Sequence, residues 1–212
     1  MTGSMDTDKQ LMQDMLYRVR ECNEVPKGMK SSMMKFVVDG IPVGKVTKSV
    51  AELLCNTPSS SSSDPVFEIV ESKTDSNVEL TLSESAGLTP DSRTDAVMSI
   101  MTNLKSQGII TGWRDELYPL STGFYEEPLM FVERAASPLL GMLSYGVHIN
   151  GIVKADTNDG DGGDDSKEEK MWIARRSLTK SMYPGMTDQL VAGGQPAGLG
   201  LMENVVKGKK VQ

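Results

Sequence analysis

Histidine and cysteine are scarce in this chain, and each scarcity excludes something. A single histidine, His148, in 212 residues rules out a histidine zinc cluster and any triad that needs two imidazoles. Cys22 and Cys55 lie far apart in dissimilar surroundings, so neither a disulfide framework nor a metal-ligand spacing exists, and reduced, buried or half-buried thiols are expected. Apolar runs are short: none approaches the roughly 20 residues that cross a bilayer, and a stretch bearing Asp6 and Asp8 lacks the continuous apolar core of a secretory signal. The expectation is a soluble intracellular protein with no membrane partner, cytoplasmic or in an organelle. Positive charge is short too. The formal net charge is -7, with a strongly acidic segment between Lys154 and Lys170, and even without that segment no basic field exists to hold a long nucleic acid. A phosphate would have to be gripped locally.

What is present reads as alternating short elements. Leu11, Met12, Met15, Leu16 and Val19 recur at helical spacing from Asp6 to Cys22-Asn23, a stripe expected to pack on its own domain. Phe36 to Val38 and Ile41 to Val46 flank Asp39-Gly40, a pair suited to a tight hairpin, and Pro42 places the second strand at an edge. A short helix over Thr47 to Cys55 precedes the serine run Ser59 to Ser63, which reads as loop. Strands follow at Val66 to Val70 and Val78 to Leu82. Thr89-Pro90 opens a helix carrying Ala96, Val97, Ile100, Met101 and Leu104, which Gly108 ends. Leu129 to Glu133 is a further strand. Mixed helices and strands without strict alternation give an α+β first domain over 1–140.

Residues 141–212 form the second predicted unit. Tyr145 to Val153 reads as one strand with a glycine interruption, and Met171 to Ala174 as its antiparallel partner. The connection Asp156 to Asp165 is not a calcium loop: counting from Asp156, the fifth position is Gly160, the sixth Asp161 and the twelfth Lys167, where a ligand, a glycine and a glutamate are needed. Arg175-Arg176 then ends the partner strand, with Lys180 beyond it, followed by Tyr183-Pro184-Gly185, Asp188 through Gly193-Gly194 and a helix from Leu199 to Lys207. Glycines before a helix let backbone approach a phosphate, the helix start favours anions, and nearby arginines clamp a diphosphate. Trp113 and Trp172 are expected in core or interface packing. Glu133-Arg134 is either a buried ion pair or faces the substrate. Asp115 and Glu116 make a poor acid–base dyad, because neighbours on a strand point to opposite faces.

The combination Gly-Val-His-Ile-Asn-Gly (146–151), Trp172 to Ser177, Lys180, Tyr183-Pro184-Gly185 and Asp188 to Gly194 resembles the start of a Nudix hydrolase domain. Phe36 to Gly44, Gly112 to Tyr118 and Glu133 to Ala136 are similar to the thiamine-pyrophosphokinase-related N-terminal domain of one Nudix subfamily. The resemblance implies an N-terminal mixed α/β domain followed by an incomplete Nudix α/β/α sandwich. It further implies a diphosphatase acting with magnesium or manganese on nucleoside diphosphate-linked or thiamine-like organic diphosphates. Arg175, Arg176 and Lys180 would contact substrate phosphate, and the Gly193-Gly194 backbone would border the metal.

Here the sequence departs from the family pattern. Lys207 takes the arginine position of the Nudix box, and Gly208, Val211 and Gln212 take the positions of its three glutamates. None supplies a carboxylate. Glu203, one turn earlier, is the possible residual metal ligand, and no complete metal site or catalytic residue is expected. The expected outcome is a chain without metal-dependent hydrolysis, the alternatives being a non-catalytic diphosphate-binding protein or an unstable truncated product. The closing Gly-Lys-Lys-Val-Gln is what codons beginning GGT-AAG-AAA encode, which resembles read-through of a splice donor.

Overall fold

The computed structural model describes residues 3–25, 28–60, 63–72, 77–153, 169–180 and 182–209. Ser61 and Ser62 of the serine run, the acidic connection from Asp156 to Asp165, and Val211 and Gln212 lie outside the described residues. No helix among the described residues is long and apolar enough to cross a membrane. Met1–Met33 and Met34–Gln212 are separate units. The first consists of helix α1 (Gly3–Asn23) and the short α2 (Met29–Ser32). Its stripe of Leu11, Met12, Met15, Leu16 and Val19 lies on the surface of this unit, as does Cys22, against the expectation of a buried thiol.

The second unit is built on a hairpin whose turn the sequence dictates. Strands β1 (Met33–Val38) and β2 (Ile41–Thr47) meet at Asp39 (φ 53°) and Gly40 (φ 77°). Both residues are left-handed, the condition of the turn that matches strand twist. Thr47 then caps α3 (Lys48–Asn56), its side chain accepting from the Val50 N–H. Strands β3 (Phe67–Glu71) and β4 (Val78–Leu82) pair antiparallel, and β4 returns parallel to β1. The sheet order is β2-β1-β4-β3, which leaves Pro42 on an edge strand as its missing N–H requires.

Helix α4 (Pro90–Ser106) starts on a capping box in which the Thr89 side chain takes the Ser92 N–H and Ser92 reaches back. Its buried face is the predicted one, Ala96, Val97, Ile100, Met101 and Leu104, plus Arg93. Arg93 is 5% exposed and meets both carboxylate oxygens of Asp39 at 2.7 and 2.8 Å, which ties the hairpin turn to the start of α4. Strands β5 (Leu117–Leu120) and β6 (Met130–Glu133) form a second hairpin, with β6 against α4. One apolar cluster runs from Met34 to Met142, centred on Phe36, Phe67, Leu80, Ile100, Met101, Leu120 and Met130.

After Met142 the elements shorten. Strand β7 (Gly146–Ile149) and β8 (Gly151–Val153) are two strands with different partners, not one interrupted strand. β8 pairs β9 (Lys170–Trp172), β10 (Ala174–Arg175) pairs β11 (Thr187–Asp188), and β7 pairs β12 (Val191–Gly194). The expected partnership of Met171 to Ala174 therefore holds only for its first half. Helix α5 (Leu201–Lys209) follows, two residues later than the spacing predicted. Val191 and Val205 are the hydrophobic residues buried beyond Met142 among the described residues. The architecture is α+β, as expected.

Candidate functional site

The predicted phosphate contacts sit on the β10–β11 ribbon and its loop. Arg175 donates from Nε to the Gly185 carbonyl at 2.9 Å, and Arg176 donates from Nε to the Met182 carbonyl at 3.1 Å. Arg176 also pairs with Asp188 at 2.6 Å. Both guanidiniums thus fold the Tyr183-Pro184-Gly185 turn back onto the strand. Burial pushes the Asp188 carboxyl up, but the Gln189 N–H, the Arg176 guanidinium and nearby His148 outweigh it and hold the group below the ordinary aspartate range. Lys180 closes a turn through its backbone N–H on the Ser177 carbonyl at 3.2 Å.

Gly193 and Gly194 lie inside strand β12, paired with Val147 and Gly146, and six residues separate them from α5. They are not a turn at the helix start. Gly194 is required by a close approach instead: a Cβ there would fall 1.6 Å from the Tyr118 hydroxyl oxygen. His148, expected on an inner strand, is exposed on the two-stranded β7–β12 ribbon, with Nδ1 against the Gln189 side-chain oxygen.

From Gly194 the chain passes through a pinned loop into α5. Gln195 N–H bonds the Tyr145 carbonyl and Ala197 N–H the Leu117 carbonyl, both at 2.8 Å. Buried Asn204 donates to the Gly194 carbonyl (3.0 Å) and to the Gln195 side-chain oxygen (2.8 Å), so an amide network fixes the helix to the strand end. Glu203 accepts the Gly200 N–H at 2.9 Å, so its carboxylate caps the first turn of its own helix. A cleft of about 340 Å³ opens beside this loop, lined by Phe124, Tyr125, Tyr145, Glu126, Glu127 and residues 195–199. Phe124 stands edge-on to both tyrosines, at 4.9 and 5.1 Å between ring centres.

The charged centre of this region was not legible as such. Glu116 is 20% exposed and accepts from Arg134 Nη1 at 2.9 Å and from Lys207 Nζ. Burial pushes the Glu116 carboxyl up, but Lys207 and Arg134 together hold it below the ordinary glutamate range. The Arg134 guanidinium carbon lies 5.7 Å from the Tyr118 ring centre, and burial pushes the Tyr118 hydroxyl up although Arg134 opposes the shift. Glu133 does not pair with Arg134. It is 1% exposed and takes the N–H groups of Arg114 (2.9 Å) and Ala135 (3.2 Å). Asp115 accepts from the Trp113 indole at 2.9 Å; with φ 56° it sits, like Glu116, before β5 begins, so the alternation expected of strand neighbours does not apply to this pair. Trp113 packs on the core with the Lys105 ammonium 4.3 Å from its ring centre, whereas Trp172 is 62% exposed.

The fit to a divalent cation is poor. Among the described residues no group of three His, Cys, Asp or Glu side chains converges, Glu203 is engaged in capping, and Glu116 is engaged by two cations. Hard cations need several oxygen ligands, so no chemistry through such an ion follows from these residues.

Residues 14–144 match the family described as a domain of unknown function, DUF4743. Over 118 residues the chain is 42% identical to Nudix hydrolase 24, chloroplastic, of Arabidopsis thaliana, covering 56% of this chain and 30% of that protein. Nudix hydrolase 20, chloroplastic, of the same plant is 44% identical over 118 residues, covering 56% and 29%. Uncharacterized protein YJR142W of Saccharomyces cerevisiae (strain ATCC 204508 / S288c) is 38% identical over 98 residues, covering 46% and 26%. Each match spans less than a third of the relative's length. Since the family match takes in more than half of this chain, the chain belongs to the DUF4743 family and is related to proteins named Nudix hydrolases.

Proposed function

We propose that this chain is a diphosphate-binding relative of the Nudix hydrolases, of the subfamily with a thiamine-pyrophosphokinase-related N-terminal domain, and that it recognises an organic diphosphate without hydrolysing it. The ligand class is a nucleoside diphosphate-linked or thiamine-like small molecule. Arg175, Arg176 and Lys180 bind its phosphates, and the Gly193-Gly194 strand end borders the site. The observation that carries the reading is the grouping of Arg175, Arg176 and Lys180 on β10 and in the loop that follows it, in a chain whose overall charge is -7; locally placed arginines and lysines are what a diphosphate requires. Absence of turnover is proposed because the positions that the resemblance to the Nudix box gives to its metal-binding glutamates hold Gly208, Val211 and Gln212, and because Glu203 caps its own helix. Magnesium or manganese, the ions used by the family, therefore has no productive site in this proposal.

The test is a titration of purified protein with ADP and with thiamine diphosphate, with and without magnesium, alongside an assay of released phosphate. Saturable binding without phosphate release is expected. Magnesium-dependent release that Glu203→Gln abolishes would show that the chain is a working hydrolase, and absence of any saturable binding would remove the reading altogether.

A further inference from the structure

We infer that Arg134 and Lys207 form a diphosphate-binding pair whose anion position is occupied, in the free protein, by the side chain of Glu116. The inference extends the diphosphate reading above and rests on it, but it places phosphate contacts on Lys207, to which the sequence assigns none, and on Arg134, which the sequence leaves open between an ion pair and the substrate.

Three observations carry it. First, Arg175 and Arg176 are already committed to the Gly185 and Met182 carbonyls and to Asp188, so an incoming phosphate would have to break turn-forming bonds to recruit them fully. Second, Arg134 and Lys207 come from distant parts of the chain, the residue after β6 and the last turns of α5, yet converge on one carboxylate. Two cations against one anion leave a net positive charge. Their side chains remain 40% and 47% exposed while the carboxylate between them is 20% exposed, so the cations face water over the acid that they share. Third, the cluster lies at the β12 strand end. Arg134 lies against Tyr118, whose hydroxyl is in turn packed on the Gly194 backbone, which puts the pair at the strand end that the diphosphate reading assigns to the site.

An internal carboxylate between two cations is a competitor for any external oxyanion. A diphosphate offers several acceptor oxygens and more negative charge than one carboxylate, and bonds to guanidinium and ammonium groups are the strong, charge-assisted kind. Glu116 therefore swings away when the anion enters, and its removal should improve binding. A carboxylate acting only as a structural staple predicts the opposite.

The experiment is calorimetric titration of the full chain with inorganic diphosphate at low ionic strength in the presence of a chelator. It compares the parent with Glu116→Gln, Arg134→Gln and Lys207→Gln, each checked for folding by circular dichroism. Glu116→Gln should bind about tenfold more tightly and either cation variant about tenfold more weakly, the scale of one charge-assisted bond. In case a variant does not fold, the parent supplies a second readout. Acetylation of Lys207, followed by mass spectrometry, should slow when diphosphate is added. Unchanged Lys207 labelling, or a folded Glu116→Gln protein that binds no more tightly, overturns the inference. ADP binding that is insensitive to all three substitutions would overturn it too, and would leave the broader reading standing.

Discussion

Gly194 shows how one residue records a tertiary constraint. Its neighbour Gly193 lies in the same strand, yet a Cβ on Gly193 would meet nothing nearer than the Asn204 side-chain oxygen at 4.0 Å, whereas one on Gly194 would fall 1.6 Å from Tyr118 Oη and 2.9 Å from Cζ. Two adjacent glycines thus have different reasons to exist. Gly193→Ala is expected to change stability by no more than about 0.5 kcal/mol, and Gly194→Ala to lower it by about 1–3 kcal/mol, the range for overpacking a site that must shift to accept the new atom. Urea unfolding of the two variants checks the difference. Combining Gly194→Ala with Tyr118→Phe should recover part of the loss, since the hydroxyl is the nearest obstacle. Equal effects of the two alanines would show that Tyr118 moves aside freely.

At the scale of elements, the helix that follows is held by polar groups more than by a core. Val205 is its buried hydrophobic residue among the described residues, and Asn204 supplies the bonds to Gly194 and Gln195. Asn204→Ala should therefore release α5 locally: its amides exchange faster by one to two orders of magnitude, as about 1–3 kcal/mol of lost buried bonding implies, while the amides of β1 and β4 keep their protection. Uniform loss of protection would instead make α5 part of the main cooperative unit. The same contrast decides what the sequence could reveal. Asp39-Gly40, Thr89-Pro90 and the stripe of α4 were legible because each is fixed by neighbours within a few residues. The division of 145–153 into β7 and β8 was not, because strand alternation is the same whichever partner is chosen, and the partners are β12 and β9. Gly193-Gly194 read as a turn since glycine is a poor strand former; the pairing with β7 overrides that preference. The Glu116–Lys207 bond joins residues 91 positions apart, and no local pattern announces such a contact.

Across the second unit, one carboxylate links the short terminal elements to the rest and another braces them internally, and both titrate below their ordinary values. Glu116 joins the start of β5 to α5 through Lys207 and to the end of β6 through Arg134, and Asp188 joins β11 to the Arg176 corner. For each group the folded form binds its proton less readily than the unfolded chain does. Its contribution is therefore fully present above the unfolded value, about 3.9 for aspartate and 4.3 for glutamate, and is lost as the pH falls from there through the folded value. Stability should decline below about pH 4.5. In the double variant Glu116→Gln, Asp188→Asn this part of the decline should be shallower, so that parent and variant differ at pH 7 and converge toward pH 3. Urea midpoints measured between those limits decide the matter. Since the partner cations are partly exposed, raising the salt to 1 M should narrow the gap at pH 7, and a gap that stayed constant across the pH range would mean that neither carboxylate is charge-coupled to the fold.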